Sequence, residues 1–102
     1  MTPVQHLQLY GALKGLSGAG LARSVDTLLS QVGLAEKRAT AAAALSGGQK
    51  RKLCLAIALI GQARTIFLDE PTSGMDPHSR RSIWALLRTQ RTGRTIILTT
   101  HL

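Results

Sequence analysis

With 102 residues the chain is long enough for one small domain, and its apolar fraction of 44% is ordinary for a globular protein, which excludes wholesale disorder. Thirteen Lys and Arg against five Asp and Glu give a formal net charge of +8, an attraction to nucleotide, nucleic acid or anionic lipid that does not choose among them. The single cysteine excludes an internal disulfide and reads as a small core residue in a reducing compartment; no secretory signal is visible, and the longest apolar run, Leu53 to Ile60, is far short of the roughly 20 residues that cross a bilayer.

Only Tyr10, Phe67 and Trp84 are aromatic, so a core built on Leu, Ile and Ala is expected. Thr2 before Pro3 is a helix-start signal, and Val4, Leu7, Leu9, Tyr10 and Leu13 fall at helical spacing, which predicts a first helix from Pro3 to Lys14 that stops near Gly15. His6, within it, reads as a structural or surface histidine. Ser17 to Gly20 reads as a connection of small residues. A second helix is predicted from Leu21 to Val32, with Val25, Leu28, Leu29 and Val32 as its apolar stripe and Gly33 as its cap. Ala35 to Ala44 starts with charges and passes into alanines too few to hold a helix alone, so a loop with some helical turn is expected.

Ser46 and Gln49 stand at capping-box spacing, a structural device in its own right. Capping does not explain Gly47 and Gly48, each less favourable in a helix than alanine by up to about 1 kcal/mol. A helix start that accepts this cost is suited to keeping its backbone N–H groups bare, and bare N–H groups at a helix N-terminus bind phosphate. With Gly47 and Gly48 in its first turn, the helix is predicted to continue from Gln49 to about Leu59, with Leu53, Ile57 and Ile60 on one face and Gly61 at its end. Lys50, Arg51 and Lys52 fan around it and read as a solvated face.

Ile66 to Leu68 reads as a buried strand that stops at Asp69 and Glu70, with Pro71 forbidding further ladder pairing. Two carboxylates at a strand tip suit metal or water chemistry; side chains alternate along a strand, so the two point differently. Asp76 before Pro77 is a strong helix start, and a helix to Gln90 follows, with Ile83, Leu86 and Leu87 inward, Trp84 packing, and Arg80, Arg81, Arg88 and Arg91 outward. Thr92 and Gly93 make a turn before a β-branched strand, Thr95 to Thr99. A strand, helix, strand order implies a right-handed crossover with parallel strands, which would place His101 at the same sheet edge as Asp69 and Glu70.

Taken in order, Leu45-Ser46-Gly47-Gly48-Gln49, the strand ending in Asp69-Glu70, Thr72 to Asp76, and His101 resemble the signature sequence, Walker B strand, D-loop and switch histidine of the ATP-binding cassette (ABC) ATPase family. The resemblance implies an α/β fold: part of a P-loop NTPase domain, with a helical subdomain over residues 1–44 followed by a parallel β-α-β unit in residues 45–102. It implies that Ser46, Gly47, Gly48 and Gln49 grip the γ-phosphate of ATP held by the opposite cassette. It further implies Asp69 as a Mg2+ ligand, directly or through water, and Glu70 as the general base that polarises the attacking water. Ser73, Gly74 and Asp76 would contact the other cassette, and His101 would sense the γ-phosphate. ATP and Mg2+ are then the cofactors, and a second nucleotide-binding domain and transmembrane domains the partners, on the cytoplasmic face of a membrane.

Lys50-Arg51-Lys52-Leu53, Ser73-Gly74-Met75-Asp76-Pro77, Ser79 to Trp84 and Gly93 to Leu98 look like the subfamily A lipid transporters, which implies lipid as the transported substrate. No Gly-x-x-x-x-Gly-Lys-Ser/Thr sequence occurs in the chain, and the glycines between Gly15 and Gly20 are not closed by a lysine. The isolated polypeptide is therefore expected to be a cassette fragment that neither binds ATP tightly nor hydrolyses it, with an open apolar edge beside Thr95 to Thr99. Two alternatives stay open: a cassette ATPase that works on DNA or ribosomes, against which the Asp-Glu-Pro-Thr-Ser-Gly-Met-Asp-Pro run weighs, and a non-catalytic product that binds an intact cassette.

Overall fold

Thr2 opens the first helix in the way its sequence predicts: its side chain accepts from the Gln5 N–H at 3.2 Å, while the Gln5 side chain accepts from the Thr2 N–H at 2.9 Å. The computed structural model describes residues 1–61 and 63–99. Helix α1 spans Pro3–Leu13 and α2 spans Gly18–Gln31; two 3₁₀ turns, Ala35–Lys37 and Ala42–Ala44, lead into α3, Gly47–Leu59. Strand β1, Thr65–Asp69, helix α4, Pro77–Gln90, and strand β2, Thr95–Thr99, complete the chain order. The strands are parallel, in a register that runs from Thr65 beside Thr95 to Asp69 beside Thr99. This is the α/β arrangement expected, a helical layer followed by a parallel β-α-β unit.

Helices α1, α2 and α3 pack on one another, and α3 also packs on β1, so α3 is shared between the helical layer and the sheet. Leu7, Leu29, Leu34, Ile60 and Ile83 are fully buried there, each at 1% exposure or less. Leucine dominates the core, as the shortage of aromatics requires. Tyr10 and Phe67 are exposed, and Trp84 packs half-buried against the core. Gly11 is buried where α1 crosses α2, and a Cβ there would run into the Leu21 side chain. The closeness of that crossing is what the glycine permits.

Several expectations are corrected. Helix α2 starts three residues earlier than Leu21, at Gly18 with Ser17 as its N-cap, whereas α3 starts at Gly47 after Ser46, as the capping-box reading placed it. Along α1, Leu7 is buried while Leu9, Tyr10 and Leu13 are exposed, since only one narrow face of the helix meets α2 and α3. Strand β1 is buried on one face only: Ile66 and Leu68 point into the core, and Phe67 is 73% exposed. Cys54 is exposed, not a core residue, because it lies on the face of α3 turned away from Leu53, Ala56 and Ile60. On β2, Ile97 and Leu98 are exposed, the open apolar edge anticipated.

The C-terminal end of α3 is held by two cations. Lys14, from the end of α1, donates to the carbonyls of Ile57 at 2.7 Å, Ala58 at 3.4 Å and Ile60 at 3.1 Å. Arg94, just before β2, donates to Leu59 O at 3.3 Å and Gly61 O at 3.0 Å. The last carbonyls of a helix lack intrahelical partners and carry partial negative charge, so both cations sit where the helix favours them. Desolvation, and then repulsion from Arg94, holds the Lys14 ammonium below its ordinary pKa.

Candidate functional site

The first part of the site is the start of α3. Ser46 Oγ accepts from Gln49 N–H at 3.1 Å and Gln49 Oε1 accepts from Ser46 N–H at 2.9 Å, a complete capping box. This satisfies two of the helix's orphan donors and leaves the N–H groups of Gly47 and Gly48 at the first turn. Space beside Gly47 is open to beyond 4 Å, whereas a Cβ on Gly48 would lie 3.3 Å from Gly74 O. Gly48 therefore has a packing reason as well: it lets the start of α3 approach the turn that follows β1.

That turn begins at the tip of β1. Glu70 alone among the described non-glycine residues has a positive φ, +47°, a left-handed conformation that costs of order 1–2 kcal/mol for an L-residue. Three hydrogen bonds hold it there. Glu70 N–H donates to Thr99 O at 2.8 Å, and Glu70 O accepts from Ser73 N–H at 3.1 Å and from Arg51 Nη1 at 3.0 Å. Met75 N–H donates to Thr72 O at 3.2 Å, and the Met75 side chain is buried, which anchors the far end of the turn. Asp76 then caps α4, its Oδ2 accepting from Ser79 N–H at 3.2 Å. The Ser79 side chain and then its backbone N–H hold the Asp76 carboxyl below its ordinary pKa.

These two parts face each other across an open depression of about 580 Å³, with Ser46, Gly47, Gly48 and Gln49 on one side and Gly74, Asp76 and Ser79 on the other. The structure thus brings together the sequence-predicted residues of the signature and of the D-loop. Ser73 lies in the turn that joins them to Glu70. Asp69 opens instead on a second hollow of about 390 Å³, shared with Arg51, Cys54, Phe67 and Pro71. The helix start and the acidic strand tip therefore serve different hollows. His101, the sequence-predicted switch histidine, lies outside the described residues; β2 carries the chain to Thr99, in register with Asp69.

Among the described residues no group of three or more His, Cys, Asp or Glu gathers in the manner of an all-protein metal cage. Magnesium does not need one: it is held by one or two carboxylates together with waters and phosphate oxygens, a donor set that Asp69 with an exposed carboxylate fits.

Two residues read from sequence as part of a solvated basic face belong to the site. Lys52 is half-buried and lines the first depression, placing a positive charge beside the bare N–H groups, and Arg51 bonds the Glu70 carbonyl. Lys50 is exposed and lines the second hollow with Asp69. A signal was present: Arg51 and Lys52 stand four positions beyond Gly47 and Gly48 and so share the sides of the first helical turn, from which they could reach what that turn faces.

A family model described as "AAA domain, putative AbiEii toxin, Type IV TA system" matches residues 10–102. ABC transporter A family member 6 of Dictyostelium discoideum is 54% identical over 99% of this chain and 6% of its own length. Phospholipid-transporting ATPase ABCA7 of Homo sapiens is 50% identical over 99% of this chain and 5% of its own length. The chain thus spans about one twentieth of the curated relatives it matches. A solved structure described as "Structure of ATP binding subunit of ABC transporter" superposes with a TM-score of 0.89 at 29% identity, over 100% of this chain and 43% of that one. The chain belongs to this AAA-domain family and, by its relatives and its fold, to the nucleotide-binding domains of the ABC transporters, with subfamily A members among those it resembles.

Proposed function

We propose that the chain supplies the signature, Walker B and D-loop part of a transporter's nucleotide-binding domain, which couples ATP binding and hydrolysis to transport across a membrane, with lipid as the cargo. Residues 1–44 serve as its helical subdomain and residues 45–102 as part of its catalytic core. The observation that carries the reading is the placement of the bare start of α3 against the turn after β1, with an acidic strand tip opening on a separate hollow. One hollow takes the phosphate of a nucleotide seated on a second nucleotide-binding domain; the other faces the nucleotide of its own. Phospholipid transport is printed in the name of one relative at 50% identity, and that name is what supports lipid here.

On this reading Ser46, Gly47, Gly48 and Gln49 bind the γ-phosphate through the helix start, and Ser73, Gly74 and Asp76 touch the second domain. Asp69 holds magnesium directly or through water, and the ion, when bound, neutralises charge on the phosphate oxygens. Glu70 polarises the attacking water as general base, and His101 donates to the γ-phosphate. The 102 residues contain no P-loop, so turnover needs one from sequence beside them, and the isolated chain is inactive. Transmembrane domains at the cytoplasmic face complete the assembly; no described helix is long and apolar enough to cross a membrane itself.

The test is Glu70→Gln in the transporter that carries this cassette. ATP turnover is expected to fall by about 100-fold or more, the contribution of a positioned general base, with nucleotide still bound. Hydrolysis at the parent rate would remove Glu70 from the role.

A further inference from the structure

Arg51 lies five residues past Ser46 on α3, and its guanidinium reaches across to the backbone carbonyl of Glu70 at 3.0 Å. That carbonyl belongs to the one described non-glycine residue in the left-handed region, at φ +47°. A residue in that conformation persists only where its surroundings over-determine it. Here the surroundings include the Glu70 N–H bond to Thr99, the Ser73 N–H bond to Glu70 O, and the Arg51 bond to the same oxygen. The first two are internal to the strand pair and its turn. The third comes from α3.

We infer that Arg51 is a positioning residue for the Glu70 carboxylate: by fixing the Glu70 carbonyl it sets the direction in which the acid leaves the strand tip, and it ties that direction to the placement of the Ser46 to Gln49 helix start. The inference rests on the reading of Glu70 as general base. Physically, φ and ψ of Glu70 fix where its Cβ points, and a carbonyl with two donors resists the peptide rotation that would redirect it. Arginine suits the task because its planar fork holds a fixed donor direction at the end of a long stem. Because Arg51 is rooted one turn past the capping box, displacement of the helix start by a phosphate would be felt at Glu70 through this bond, whereas the Lys14 and Arg94 contacts hold only the opposite end of α3.

The experiment uses Arg51→Met, which keeps the stem and removes the donor, and Arg51→Lys, which restores a donor. Arg51 is exposed, so neither change opens a cavity, and far-UV circular dichroism verifies the fold. In the full chain, amide exchange at Ser73 and Glu70 is expected to quicken about tenfold in Arg51→Met, as for loss of one charge-assisted bond, and to return toward the parent rate in Arg51→Lys. In the transporter that carries this cassette, kcat of Arg51→Met is expected to fall between about tenfold and 100-fold, as for a displaced catalytic group, with KM for ATP held within about twofold. Unchanged exchange in Arg51→Met, or quickened exchange that Arg51→Lys leaves in place, overturns the inference. If exchange quickens and kcat holds while Glu70→Gln still abolishes turnover, the positioning role is refuted and Glu70 keeps its own. If Glu70→Gln leaves turnover intact, the reading of the site fails first and takes this one with it.

Discussion

Ser46 carries two roles that one pair of substitutions separates. As N-cap it accepts from Gln49 N–H at 3.1 Å, and as part of the helix start it stands where an anion would sit. Ser46→Ala removes the cap, which costs about 1 kcal/mol, and for a domain near this size each kcal/mol moves the melting temperature by about 4–8 °C. Ser46→Asp keeps the cap, because aspartate is as good an N-cap as serine, so its melting temperature should stay near the parent. It also plants a carboxylate in the depression. One negative charge about 4 Å from another costs about 1 kcal/mol in water and about 4 kcal/mol at an effective dielectric of 20, so phosphate binding should weaken by about fivefold to about 1,000-fold. The assays are thermal denaturation of the full chain by circular dichroism and its Mg-ATP-dependent association with a P-loop-bearing cassette by analytical ultracentrifugation. A Ser46→Asp chain that melts as low as Ser46→Ala would refute the cap; one that associates as tightly as the parent would refute the anion site.

Leu29→Ala, at a side chain with 0% exposure, should cost about 2–5 kcal/mol in urea denaturation, whereas Phe67→Ala, at 73% exposure, should stay within about 0.5 kcal/mol. The folded pKa of Lys14 lies below its ordinary 10.5, so the unfolded chain binds that proton more tightly. Stability attributable to Lys14 therefore rises as pH climbs through the lowered pKa toward 10.5; urea midpoints should show this rise in the parent and lose it in Lys14→Met. Asp76 has a dependence of the same sign in the acid range: its folded pKa lies below 3.8, so its contribution is complete above 3.8 and is lost as pH falls through the folded value. Asp76→Asn keeps a capping oxygen and removes the titration, so acid unfolding followed by circular dichroism should lose that component.

The elements most legible in the sequence were those whose start and stop are written in local chemistry. Asp76-Pro77 opens α4 and β-branched residues fill β2, and both have the predicted ends; the Ser46 and Gln49 box is formed with both bonds. What local chemistry does not encode is which side of an element meets another element. Leu9, Leu13 and Phe67 are apolar yet exposed, and Cys54 is exposed inside an apolar run, because burial depends on how α1, α3 and β1 are crossed by their neighbours. The same limit applied at the site. Residue types placed Asp69, Glu70 and the glycines correctly at a strand tip and a helix start, but the reach of Arg51 to Glu70 and the entry of Lys52 into the depression depend on the approach of α3 to the turn at Gly74.

That approach gives α3 a mechanical character. A helix of 13 residues is about 20 Å long and does not bend easily, so it moves as a strut between whatever holds its ends. At the C-terminal end Lys14 and Arg94 bind its last carbonyls, one from the helical layer and one from the approach to β2. At the N-terminal end no comparable cation clamp on the helix backbone is found among the described residues; the capping box is internal to the helix and the Gly48 contact with Gly74 O is a close approach of backbone. A strut held more firmly at one end than at the other pivots about the firmer end. An anion drawn to the bare N–H groups would thus move the N-terminal end most, and the side chain placed to register that motion at the strand tip is Arg51.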